Sequence, residues 1–241
     1  MKQIIAIPAR MSGTRLPGKP LIEINGEAII YHVWDRCRQV HPPEEIFIAT
    51  EDKIIEEYCH SKGINCVNTG PAETAIDRIK LFSDIIPADA YINVQGDEPI
   101  ANLKDIKTVL NYNRKYPDRV IFGKAEANEE EFRDHSKAKV VCAPDGRLLY
   151  SSRAGIPLSN KGTFVGAERA IWLYAFNKDA LDKYHFGTKK ARLEKMEDNE
   201  IIRFLEIGIP VYCTDMIGDS WSVDEPRDLD IVKQKMDELK A

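Results

Sequence analysis

The stretch Gln3-Ile-Ile-Ala-Ile-Pro8, followed at once by Ala9-Arg-Met-Ser-Gly-Thr-Arg-Leu-Pro-Gly-Lys-Pro20, decides the fold. A short continuous apolar run that ends in a Gly/Pro-rich loop is the pattern of a strand buried on both faces, and such strands belong to parallel sheets. Ile29, Ile30, Val33, Trp34 and Cys37 then share one helical face after Asn25-Gly26, and Ile46-Phe-Ile-Ala-Thr50 reads as a second strand. This is a β-α-β unit. The alternation continues with a helix near 52–60, a strand at 64–67, a helix over 74–86 and the strand Ala90-Tyr-Ile-Asn-Val-Gln95. It predicts an α/β, Rossmann-like, doubly wound fold.

After Pro99 a helix is expected over 103–116. Lys139-Val-Val-Cys-Ala143 and Arg147-Leu-Leu-Tyr150, joined by Pro144-Asp-Gly146, read as a hairpin, which makes the sheet mixed though mostly parallel. A polar loop at 159–163 leads to the apolar strand Ala170-Ile-Trp-Leu-Tyr-Ala-Phe176, and helices over 192–206 and 225–239 flank a strand at 210–213. No internal repeat, low-complexity segment or long linker divides the chain, so residues 1–241 read as one domain.

The 241 residues are 43% hydrophobic and 30% charged with a mean hydropathy of -0.37, ordinary material for one globular core. No apolar run approaches the roughly 20 residues of a membrane span, which argues against membrane insertion. The start lacks the pattern of a secretory signal, so a cytoplasmic location is expected. A net charge of -5 is the wrong sign for neutralising a nucleic-acid backbone, and any phosphate ligand should be small and met by a local basic cluster. Five cysteines at irregular spacing, with no Cys-x-x-Cys pair, support neither a disulfide framework nor a zinc ribbon. They read as buried thiols, and Trp34 and Trp172 as core.

That cluster stands beyond the first strand, in the crevice where open α/β sheets bind ligands. Gly13 and Gly18 let the backbone approach a polyphosphate, while Arg10, Arg15 and Lys19 supply charge for its oxygens. Gly13-x-x-x-x-Gly18-Lys19 almost spells a phosphate loop but fails at Pro20, where a magnesium-holding hydroxyl is required. A nucleotide-binding switch is the competing reading, and a non-catalytic interaction module a third. Metal must be held elsewhere, and two acidic positions offer themselves. In Gln95-Gly-Asp-Glu-Pro99 the better placed carboxylate is Asp97 rather than Glu98. In Ser222-Val-Asp-Glu-Pro226, Asp224 is either a metal ligand or the cap of the following helix. Two aspartates from separate strand ends suit Mg2+, which takes one or two carboxylates plus phosphates and water. The combination describes nucleotidyl transfer.

The chain resembles the 3-deoxy-manno-octulosonate cytidylyltransferases (CMP-Kdo synthetases), whose fold is of the nucleotidyltransferase type. The resemblance runs nearly end to end through Pro8-Ala-Arg, Arg15-Leu-Pro-Gly-Lys-Pro20, Asn93-Val-Gln-Gly-Asp-Glu-Pro99, Lys139-Val-Val, Ser152-Arg153, Leu193-Glu with Glu197, Glu200 and Arg203, and Val223-Asp-Glu-Pro. It implies that a sugar acid's anomeric hydroxyl attacks the α-phosphate of CTP with the help of Mg2+, giving a CMP-sugar and pyrophosphate. By residue match, Pro8, Ala9, Arg10, Arg15, Lys19, Arg78 and Gln95 would bind the nucleotide. Lys19, Arg10 and Asp97 would serve catalysis, and Asp97 and Asp224 would hold the metal. Lys139, Arg153, Glu197 and Glu200 would meet the sugar. A homodimer that supplies lipopolysaccharide or capsule assembly is implied as well, with pairing and sugar binding around 120–210.

Three positions depart from the family pattern. Thr74-Ala-Ile-Asp-Arg78 keeps the Asp-Arg end of a motif but loses its small polar core, Ala170 stands for a histidine, and Ile201 stands for a glutamine. These departures point to a different ulosonic acid or a related sugar as substrate. In the late helix Leu193, Met196, Ile201 and Phe204 define an apolar arc with Glu197 and Glu200 inside it. Acids so placed need partners, either Arg203 or another structural cation, or a polar ligand.

Overall fold

A computed structural model describes residues 1–13, 15–184 and 190–239. Along the chain, β1 (Gln3–Pro8), the short β2 (Glu23–Ile24) and β3 (Glu27–Ala28), α1 (Ile29–Arg38) and β4 (Ile46–Thr50) build the first β-α-β unit. The elements α2 (Lys53–Ser61), β5 (Cys66–Asn68), α3 (Ala75–Ile85) and β6 (Ala90–Val94) continue the alternation. Next come α4 (Leu103–Lys115), β7 (Val120–Ala127), α5 (Glu129–Arg133) and the hairpin of β8 (Lys139–Cys142) and β9 (Leu148–Ser152). Finally β10 (Ala167–Phe176), α6 (Lys178–Tyr184), α7 (Arg192–Glu197), α8 (Ile202–Glu206), β11 (Val211–Asp215) and α9 (Pro226–Glu238) follow.

The main sheet runs β11-β7-β10-β6-β1-β4-β5, with β8 and β9 attached through β10. Strand β1 pairs in parallel with β4 on one side and β6 on the other, so the strand order reverses beside it. Strand β10 runs against both β6 and β7, whereas β11 is parallel to β7, which gives the mixed, mostly parallel sheet. Apolar side chains fill both faces. Phe82, Tyr174, Phe176 and Phe204 lead one layer, and Ile30, Val33, Ile106 and Val109 lead the other. A strand whose residues point into one of two apolar layers is apolar along that length, as Ile4 to Ile7 of β1 are. The buried polar residue at its start, Gln3, donates its amide to the Leu110 carbonyl at 2.9 Å and to Asn113 Oδ1 at 2.7 Å.

The sequence pattern singled out no strand at β7, yet it is the sheet's link to β11. The single helix expected over 192–206 is two short ones, broken where Asp198 turns left-handed at φ 45°. The break also turns Met196 outward, 70% exposed, so the apolar arc is formed by Ile201 and Phe204 with Leu193 at its edge. All five cysteines are free; Cys37, Cys59 and Cys213 are buried, and Cys66 and Cys142 are half-buried. Trp34 and Trp172 pack against the edges of the two layers. Among the described residues no helix is long and apolar enough to cross a membrane.

Candidate active site

The site begins with a glycine. A Cβ on Gly96, just past β6, would lie 2.3 Å from the Pro8 carbonyl oxygen, so the ends of β6 and β1 can meet this closely with glycine there. The carboxyl ends of these two strands open into a cavity of about 260 Å³. Its walls include Pro8, Ala9, Arg10, Arg15, Lys19, Arg78, Gln95, Asp97 and Asp224, every nucleotide and metal position expected from sequence.

The basic loop folds back on itself. The Met11 amide donates to Asp52 Oδ2 at 2.7 Å, and the Gly18 amide to the Met11 carbonyl at 3.0 Å. Lys19–Leu21 is then a single 3-10 turn with Pro20 buried, and the chain passes into the β2–β3 ribbon. A phosphate loop of the NTPase kind delivers its lysine at the start of a long α-helix; here there is none, which removes the switch reading.

Lys19 Nζ donates to Asp97 Oδ2 at 2.7 Å and to Asp224 Oδ1 at 3.3 Å. Burial alone would depress this ammonium, but the two carboxylates outweigh it and hold its pKa above the ordinary value. Arg15 reaches Asp224 Oδ1 at 3.1 Å from an exposed position, and Arg10 stands exposed at the rim. Asp224 is not the helix cap. Glu225 holds that position, and Asp228 accepts the amides of Asp224 and Glu225 at 2.8 Å each, which leaves the Asp224 carboxylate facing the cavity. Glu98 turns the other way into the protein. Burial, with Asp97 adding repulsion, pushes its pKa up to about 7.

Opposite the loop, Arg78 is buried in the wall. It pairs with Glu51 at 3.2 Å and donates to Thr69 Oγ1 at 2.8 Å and the Gly70 carbonyl at 3.1 Å. Gln95 donates to Asn93 Oδ1 at 3.1 Å. Glu51 and Asp52 were not anticipated; their place just past the carboxyl end of β4, the same end of the sheet as the basic loop, was the available signal.

The four expected sugar contacts separate. Glu200 accepts from the Ile76 amide at 3.0 Å and the Tyr174 hydroxyl at 3.3 Å, beneath the first turn of α3, whose Thr74 and Ala75 line the cavity. Burial raises its pKa. Lys139, Arg153 and Glu197 do not line the cavity. Lys139 is buried with its ammonium on the carbonyls of Asp134, at 2.7 Å, and Lys137, at 2.5 Å. Glu197 accepts from the Ser152 hydroxyl and the Arg153 amide, and Arg153 donates to the carbonyls of Glu197, Asp198 and Ser136. Neither Glu197 nor Glu200 pairs with Arg203; that guanidinium binds Glu194 and Asp77, each at 2.7 Å. Ala170 and Ile201 are packed in the apolar layer beneath rather than in the cavity wall.

The residues present suit a divalent cation. Two carboxylates from distant segments converge on one point that already stabilises positive charge, and hard oxygen donors of this number match an ion completed by phosphates and water. Among the described residues no group of three or more His, Cys, Asp or Glu is placed for an all-protein metal cage.

The model of the family described as "Cytidylyltransferase" matches residues 4–211. A 3-deoxy-manno-octulosonate cytidylyltransferase of Acidobacterium capsulatum is 35% identical over 238 residues, covering 97% of this chain and 96% of that protein. One from Escherichia coli is 32% identical over 237 residues, covering 98% and 96%. Among solved structures, a CMP:2-keto-3-deoxy-manno-octonic acid synthetase complexed with CTP superposes with a TM-score of 0.92 at 31% identity, covering 99% of each chain. With that agreement in sequence, fold and length, the chain belongs to the cytidylyltransferase family, as a nucleotidyltransferase of the 3-deoxy-manno-octulosonate cytidylyltransferase kind.

Proposed function

We propose that the protein joins CTP to 3-deoxy-manno-octulosonate or a closely related ulosonic acid, releasing pyrophosphate. The observation that carries this reading is the convergence of Asp97 and Asp224 on Lys19 at the mouth of β1 and β6. Arg10, Arg15 and Lys19 meet the triphosphate and steady the departing pyrophosphate; Pro8, Ala9, Gln95 and Arg78 form the nucleotide wall. Asp97 and Asp224 would hold Mg2+, which when bound neutralises charge on the α-phosphate. Glu200, under the α3 turn, is the sugar-side group nearest this cavity wall; Lys139, Arg153 and Glu197 act from outside it, ordering the β8–β9 hairpin against α7.

The reading includes a cytoplasmic homodimer that feeds lipopolysaccharide or capsule assembly, with pairing and sugar binding in residues 120–210. The exposed side chains of Leu149, Leu158, Val165 and Met196 in that stretch supply apolar surface for pairing. Light scattering should return twice the 27.4 kDa chain mass, and the mass of a single chain would remove the dimer.

Pyrophosphate release measured with CTP or UTP against a panel of ulosonic acids tests the chemistry. Release is expected when CTP and the sugar acid are both present; orthophosphate from nucleotide alone would refute the proposal. Asp97→Asn and Asp224→Asn should each lower kcat by about 100-fold or more at unchanged circular dichroism, as expected for groups acting on transition-state charge.

A further inference from the structure

Asp224 hangs on the strap of residues 216–224 between β11 and α9, and what fixes that strap is not in the cavity. Asp105, in the first turn of α4 and 2% exposed, spends both carboxylate oxygens on it, accepting the Ile217 amide and the Gly218 amide at 2.8 Å each. The carbonyl of Gly218 accepts from Arg169 Nη2 at 2.5 Å, so this residue is held from both sides. It is a glycine for two reasons: φ is +69°, and a Cβ would stand 2.7 Å from Ile171 Cδ1 and 2.8 Å from Ala125 Cβ. Asn102, which caps α4, adds a bond from Nδ2 to Asp219 Oδ1 at 2.7 Å. Three consecutive strap residues are therefore tied to one helix start. Downstream, the Val223 amide donates to the Asp97 carbonyl at 2.9 Å, which lays the strap beside the other carboxylate.

We propose that Asp105 is a positioning residue: by fixing Ile217 and Gly218 it sets the separation of Asp224 from Asp97, and with it the affinity for the divalent cation. The inference rests on the metal-holding role given above to those two aspartates. Its logic is one of reference points. Asp97 leaves β6 five residues before the α4 cap, and the strap returns to that same helix start, so the two carboxylates approach from the two ends of one junction between β6 and α4. The alternative anchors are the Val223 amide on the Asp97 carbonyl and Asp228 of α9, which holds the Asp224 amide from the other side. If those bonds alone positioned Asp224, cutting the strap free from α4 would not matter.

The test uses the full chain with Asp105→Asn, which turns one acceptor into a donor facing an amide N–H, and with Asn102→Ala as a milder cut. Mn2+ binding to the CTP-bound protein is followed by electron paramagnetic resonance, beside CTP affinity in EDTA and the melting temperature. Asp105→Asn should weaken Mn2+ by about tenfold and Asn102→Ala by a few-fold, while CTP affinity in EDTA stays within about twofold. A purely structural role would weaken both ligands together or neither, and that result overturns the proposal. Should Asp105→Asn fail to fold, wild-type Mn2+ affinity in Asn102→Ala decides against it. Asp224→Asn separates the two ideas: if it weakens Mn2+ while the strap variants do not, the positioning role falls and the metal site stands; if it leaves Mn2+ untouched, the metal reading itself is wrong.

Discussion

Glu98 sits between an ion-paired aspartate and the strap, and its carboxyl has lost water without gaining a cation. Its folded pKa of about 7 stands above the ordinary 4.5, so between those pH values the folded protein binds more protons than the unfolded chain. Stability contributed by the neutral carboxyl is present below about pH 4.5 and is lost as pH rises through 7. Glu98→Gln keeps a neutral side chain at every pH. In chelator, its unfolding free energy relative to wild type should therefore rise between pH 5 and pH 8, by roughly 2 to 3 kcal/mol if the shift is carried in full. A pH-independent difference would show that Glu98 does not titrate in this window. Preferring Asp97 to Glu98 as the group facing the crevice was possible from sequence, because the residue after a strand-end glycine is the first that can reach back over it. The fate of Lys139 was not. A lysine in a strand reads as a ligand contact or a solvated edge, and nothing local announces that two carbonyls from the preceding turn will enclose it.

Between elements, the joint that matters is the one under α3. Arg203 of α8 forks onto Glu194 of α7 and Asp77 of α3 while lying over the Tyr184 ring at 4.0 Å. Glu194 is 1% exposed, and breaking a buried pair by removing one partner leaves a charge with no water. Arg203→Met should accordingly cost about 3 kcal/mol or more in denaturant unfolding. Because the α3 turn carries Thr74, Ala75 and Arg78 in the cavity wall, the same variant should also weaken CTP; unchanged stability would mean that the triad is dispensable. The elements that sequence reading located are those whose pattern is local: β1, β4, β6 and α1 follow from apolar periodicity within about ten residues. Two of its misses depend on distant partners. Strand β7 is defined by β10 and β11, about fifty and ninety residues onward, and the break at Asp198 occurs where the chain turns back so that Asn199 can donate to Ser151.

At the scale of the whole molecule, an acidic protein binds a polyanion by gathering a few cations at one point. The net charge is -5, yet Arg10, Arg15, Lys19 and Arg78 share one cavity at the reversal of strand order. That crevice was legible from the order of strands and the loop after β1, since ligands collect outside the carboxyl ends of such sheets; the closure of its far side by Arg78 with Glu51 was not, because it joins two elements that each look complete alone. If the loop cations are there for the β- and γ-phosphates, CTP must stabilise the fold more than CMP does. A ligand at about a hundred times its Kd adds about 2.7 kcal/mol, so tenfold in affinity is readily seen as a melting shift at fixed concentration. We expect CTP to raise the melting temperature above the value reached with equal CMP. Arg10→Ala, which removes a cation exposed at the rim and not part of the core, should narrow that gap by weakening CTP about tenfold while leaving CMP nearly unchanged. Equal shifts with CTP and CMP in the wild type would mean that the loop does not hold the terminal phosphates, and the direction of pyrophosphate departure would have to be sought on another wall of the cavity.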